Sequence, residues 1–131
     1  MKIKMTNSSI GDVLNVLMKF DNCEGKLSYA IHKTKRKLIN EYKDFEEIRN
    51  NLIRKYGEKD EETGNYLIRQ DSEGFQKYKE EIMPISQDIV EVEIHQIAQE
   101  EFDNSDYYNE NVSTKEYDLL EALFVKREDE E

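Results

Sequence analysis

The sequence predicts an α+β fold, mostly helical, and three observations carry that prediction. Ile31, Leu38, Phe45 and Leu52 recur every seven residues, the spacing of one buried stripe along a long helix. Ile89-Val90-Glu91-Val92-Glu93-Ile94-His95 alternates apolar and polar residues, the period of a strand with one buried face. Ser113 followed by Glu116 forms a capping-box pattern ahead of Tyr117, Leu120, Leu123 and Phe124, which marks a C-terminal helix. The chain has 131 residues, a single Pro and five Gly, which suits one domain over 1–131 with a modest core. A solvated, disordered tail is expected over 126–131.

Each element follows in order. Ser9 and Asp12 give a capping-box pattern, with Ile10, Val13, Leu14, Leu17 and Met18 at helical spacing behind it. That first helix should stop near Phe20, where Asp21, Asn22 and Gly25 supply turn chemistry. Ser28 can cap the long helix, predicted from Tyr29 to Tyr56 and ended by Gly57, roughly 42 Å at 1.5 Å per residue. Its seam of Lys35, Tyr42, Arg49 and Tyr56 suits a coiled-coil dimer poorly, so a helical hairpin with the first helix, from about Ser9 to Tyr56, is the preferred packing.

Glu58 to Asn65 reads as a charged loop, and Tyr66-Leu67-Ile68-Arg69 as a short strand. Phe75, Tyr78, Ile82 and Met83 fit a third helix that Pro84 ends. A small antiparallel sheet is predicted from Tyr66–Arg69 paired with Ile89–Ile97 across that helix. Phe102 to Val112 has loop composition.

Charge is divided unevenly. Met1 to Tyr56 carry twelve Lys/Arg against seven Asp/Glu, whereas Gly57 to Glu131 carry seven against twenty-three, and the whole chain has a net charge of −11. Such a division steers association and specifies no reaction. Cys23 is the only cysteine, which excludes an intramolecular disulfide and suits a reducing cytosol. No apolar run reaches signal-peptide or membrane-span length, so the expected location is the cytoplasm.

Candidate chemistry is sparse. Glu91, Glu93 and His95 share one strand face and could form a carboxylate–carboxylate–imidazole metal trio, but an amphipathic strand explains the same residues. The Asp60–Asp71 stretch fails the calcium-loop pattern, with Asn65 where Gly is needed. There is no phosphate loop, nucleophile elbow, Cys-x-x-Cys or His-Glu-x-x-His, so neither an enzyme nor a cofactor is predicted. Lys33, Lys35, Arg36 and Lys37 form a basic patch beside Tyr29, yet a pI near 4.7 argues against direct nucleic-acid binding. The acidic surface is the better candidate for a partner: Asp60, Glu61, Glu62, Glu91, Glu93, Glu100, Glu101, Asp103 and Asp106 could present carboxylates where a nucleic acid presents phosphates.

Several stretches resemble a known group. Met1-Lys2-Ile3-Lys4, Leu27-Ser28-Tyr29-Ala30-Ile31, Leu52-Ile53-Arg54-Lys55-Tyr56-Gly57-Glu58-Lys59-Asp60-Glu61, Val92-Glu93-Ile94-His95 and Ser113-Thr114-Lys115-Glu116 together look like an uncharacterised family of short proteins encoded by phages and prophages of low-GC Gram-positive bacteria. The resemblance covers nearly the whole chain, with Lys55 to Asp60 its most specific part. It implies a source and carries over no activity. The expectation is a non-enzymatic phage protein that binds a host protein and inhibits or redirects it, for example in a nucleic-acid-handling or defence complex, by nucleic-acid mimicry in one version. The alternative is a phage morphogenesis or virion-associated protein.

Overall fold

The computed structural model describes residues 1–21, 23–105 and 111–126. Their order is β1 (Lys2–Thr6), α1 (Asn7–Met18), α2 (Gly25–Tyr56), β2 (Glu58–Lys59), β3 (Tyr66–Leu67), α3 (Glu73–Ser86), β4 (Ile89–Glu93), α4 (Gln99–Asp103) and α5 (Thr114–Phe124). The mostly helical α+β class, the long helix and the C-terminal helix are all present. The spine is α2, with 32 residues and a length of about 48 Å.

The packing follows the heptads. Leu27, Ala30, Ile31, Thr34, Leu38 and Phe45 are the buried face of α2. Ile10, Val13 and Leu17 of α1 join Leu27, Ala30, Ile31 and Leu38 of that face in one core with Val92, Ile94, Phe102, Leu120 and Phe124. Gly11 lies against Tyr42, where a Cβ would sit 2.9 Å from the phenol oxygen, so this glycine sets how closely α1 and α2 approach. The predicted helical hairpin is therefore the centre of the fold.

Three helix boundaries differ from the sequence expectations. The cap of α1 is Thr6, whose hydroxyl accepts from the Ser9 amide at 3.1 Å, so Ser9 lies inside the first turn. α2 starts at Gly25, with φ +76°, before Ser28 can act as a cap. The Leu27 amide instead donates to the Ser105 hydroxyl at 3.4 Å, a partner 78 residues away. α3 runs through Pro84 to Ser86, because proline so near the end removes little of the ladder, and Gln87 N donates to Met83 O at 3.1 Å.

The predicted small antiparallel sheet is present, but its strand pairing differs. β4 pairs antiparallel with the amino-terminal strand β1, and Tyr66-Leu67 pairs with Glu58-Lys59. Local chemistry decides both pairings. The loop from Asp60 to Asn65 closes a hairpin, with Asp60 N donating to Asn65 O at 2.7 Å and Gly64 at φ +76°, which brings β3 back onto its immediate neighbour. Met1 to Thr6 alternates as β4 does: Ile3 and Met5 pack on the core, and Lys2 and Lys4 stand opposite Glu93 and Glu91. The predicted strand to Ile97 ends at Glu93; beyond it, the His95 amide donates to the Thr34 hydroxyl on α2 at 3.0 Å.

A short helix, α4, occupies the start of the predicted Phe102–Val112 loop, and its Phe102 is almost fully buried. The Glu101 carboxylate reaches back to the Ala98 amide at 3.2 Å and opens that helix. The capping box of α5 forms as predicted: Glu116 N donates to the Ser113 hydroxyl at 3.3 Å, and Ser113 N donates to the Glu116 carboxylate at 3.0 Å. Val125 then forms a parallel bridge to Ile97. The predicted tail lies, apart from Lys126, outside the described residues.

Candidate functional site

The basic patch is largely engaged within the molecule. Lys35 contacts Asp21 at 2.8 Å, and Lys37 reaches Glu93 at 3.7 Å. Arg36 lies 3.0 Å from the His32 ring, and the Lys33 ammonium sits 5.7 Å from the centre of the Tyr29 ring. Two further ion pairs cross the chain, Lys2–Glu91 at 3.9 Å and Lys19–Glu116 at 2.7 Å. Three of these four pairs join a lysine of the positive half to a glutamate of the negative half. The two halves thus touch at three points on the surface, and the net charge stays at −11.

The acidic candidates do not converge on one spot. Asp60 is a structural residue: its carboxylate accepts from Glu62 N at 3.0 Å and from the Thr63 hydroxyl at 3.2 Å, which ties the β2–β3 turn. Glu61 and Glu62 are exposed on that turn, beyond the C-terminal end of α2, and carry no ion pair among the described residues. Glu91 and Glu93 lie on the outer face of the β1–β4 sheet, beside Lys2 and Lys37. Glu100, Glu101 and Asp103 belong to α4, which leads into Ser105 at the opposite end of α2. There Glu101 is used as a cap, and Asp103 accepts from the Gln99 amide at 2.9 Å. Asp106 lies outside the described residues.

The Glu91, Glu93, His95 trio is not assembled. His95 has left the strand and meets Tyr29 edge-on at 5.3 Å between ring centres. Among the described residues no group of three or more His, Cys, Asp and Glu is placed to hold a metal ion. Cys23 lies in the loop between α1 and α2 and is buried against the core. Among the described residues no helix is long and apolar enough to cross a membrane.

Sequence reasoning passed over a groove of about 630 Å³ between α1 and α2. Leu14 and Met18 line one wall, Ile39 and Tyr42 the other, and Phe45 is a largely buried part of the lining. Met18 and Ile39 are 58% and 51% exposed, which is unusual for large apolar side chains facing each other across a helical hairpin. Arg49 fixes Tyr42 by donating to its hydroxyl at 3.1 Å while lying 5.9 Å from its ring centre. Tyr78 of α3 shares this neighbourhood; burial pushes its phenol pKa up, and Arg49 offsets part of that rise. In the sequence Met18 belongs to the apolar spacing of the first helix and Ile39 widens the α2 stripe, so neither marks itself out from residues that are buried.

Comparison with family models, with curated proteins and with solved structures gave no match.

Proposed function

We propose that this chain is a small acidic protein of phage or prophage origin that binds a host protein and inhibits or redirects it, in the host cytoplasm and without catalysis of its own. The observation that supports this reading most is the fate of the lysines. Lys2, Lys19 and Lys37 each stand beside a carboxylate at the surface, Glu91, Glu116 and Glu93, so these three cations are locally compensated while Glu61, Glu62 and Glu100 are in no ion pair among the described residues. With a net charge of −11, the outward potential is negative, and its complement is a basic surface. A nucleic-acid-handling or defence complex has such a surface, and carboxylates spaced along the length of α2 would occupy the path of a phosphate backbone there.

The test is capture from host lysate on immobilised chain at rising salt. One specific partner is expected, released as the screening length falls from about 10 Å at 0.1 M to about 3 Å at 1 M. Replacing Glu61, Glu62 and Glu100 with Gln should weaken capture without changing the melting temperature, because these carboxylates are exposed and outside the ion pairs. Capture of nothing but the chain itself would overturn the proposal.

A further inference from the structure

We propose that the groove between α1 and α2 is a self-association surface, filled in a two-fold antiparallel pair by α2 of a second copy. The lining residues on α2 include Lys35, Ile39, Tyr42, Glu46 and Arg49. Lys35, Tyr42 and Arg49 make a poor coiled-coil seam on their own, but the exposed Ile39 and Glu46 between them complete a four–three spacing with an apolar centre, the repeat of a helix that packs along another helix. This seam lies beside the one that Leu38 and Phe45 bury inside the molecule, and Phe45 borders both. Its apolar centre is Ile39, 51% exposed, with Met18 of α1, 58% exposed, on the facing wall.

The charges on this seam choose both the occupant and its direction. A two-fold axis midway between Ile39 and Tyr42 sets Ile39 opposite Tyr42 of the second copy and Lys35 opposite its Glu46. Symmetry repeats both pairings, so the ends of the seam close with two opposite-charge contacts. A parallel pair in register would set Lys35 on Lys35, Glu46 on Glu46 and Arg49 on Arg49, three repulsions that reject that arrangement. Lys35 already contacts Asp21 at 2.8 Å, so part of the ordering cost of its side chain is met before a further contact forms. The isologous contact uses both grooves and stops at two copies.

The other surface open to self-pairing is weaker. Doubling the sheet through β1 would set Lys4 near Lys4, since Lys2 and Lys4 share its outer face, and edge lysines of this kind oppose strand addition.

The experiment is sedimentation equilibrium of the full chain at physiological salt, where the screening length of about 8 Å limits the mutual repulsion of two copies. A dimer is expected for the wild type. Ile39→Glu should be monomeric with unchanged helical circular dichroism, because the position is half exposed and folding does not depend on it. Lys35→Glu or Glu46→Lys alone should weaken the dimer about tenfold, as two surface pairs become two repulsions. The double exchange Lys35→Glu with Glu46→Lys should be about threefold tighter than either single exchange, a partial recovery, since the crossed pairs re-form with their signs reversed while the new carboxylate at position 35 stands beside Asp21. A wild type that stays monomeric at millimolar concentration overturns the proposal, and so does a double exchange no tighter than the single ones. Ile39→Glu should still capture the host partner, so failure here is distinguishable from failure of the acidic-surface reading.

Discussion

Glu116 is the residue with the most exacting electrostatic role. The Lys19 ammonium at 2.7 Å and the Ser113 amide hold its carboxyl below the ordinary carboxylate pKa. A carboxyl depressed on folding contributes stability that is present above its unfolded value and lost as pH falls through its folded one. The melting temperature should therefore drop on acidification through the carboxylate range. Lys19→Met should shrink the part of that drop that Glu116 contributes, because the largest cause of the depressed pKa is gone; an unchanged pH profile in the variant would refute the assignment. Asn7 and Thr34 act without charge. The Asn7 side-chain amide donates to Ile85 O at 2.8 Å, and the Thr34 hydroxyl accepts from His95 N at 3.0 Å, so each fixes the course of a distant segment. Neither residue stands out in the sequence, where a polar residue on a buried helix face has no visible partner.

At the scale of elements, legibility depended on distance along the chain. The α5 capping box, the β4 alternation and the α2 heptads are local patterns, and each element is present at its pattern, although β4 ends at Glu93 and α2 begins at Gly25. The start of α2 was misplaced because its hydroxyl acceptor, Ser105, is contributed from beyond α4. The sheet differs because the alternation of Lys2 to Thr6 names no partner by itself, and only β4, from the other end of the chain, supplies the complementary strand. Of the candidate site, the acidic residues were legible as residues, but composition could not tell Asp60, tied into a turn, from Glu61 and Glu62 beside it. The contrast at α2 can be tested by denaturant unfolding. Ser105→Ala should cost about 1 kcal/mol, the usual worth of a capping hydroxyl. Ser28→Ala should be neutral or slightly stabilising, since Ser28 lies inside α2 and alanine is the better helix former. Equal losses from both variants would restore Ser28 as the cap.

Across the whole molecule, α2 joins two regions of different strength. Its first half, from Leu27 to Leu38, lies in the common core with α1, β4, α4 and α5. Past Phe45 it has no buried residue, and it packs beside α3 and the β2–β3 hairpin, where Tyr56 donates to Glu81 at 3.0 Å. Phe45 and Ile82 are buried but stand outside the common core cluster, so the distal arm is held by a few side chains of its own. Local opening should therefore begin there. Native-state hydrogen exchange should find the amides of 47–56 and of the hairpin opening at least about 2 kcal/mol more easily than those of Leu27 to Leu38, since burying one Leu-sized side chain is worth about 1.5–3 kcal/mol. Phe45→Ala should lower protection in the arm by about 3 kcal/mol or as far as full exchange, while the amides from Leu27 to Ile31, set in the common core, keep most of theirs.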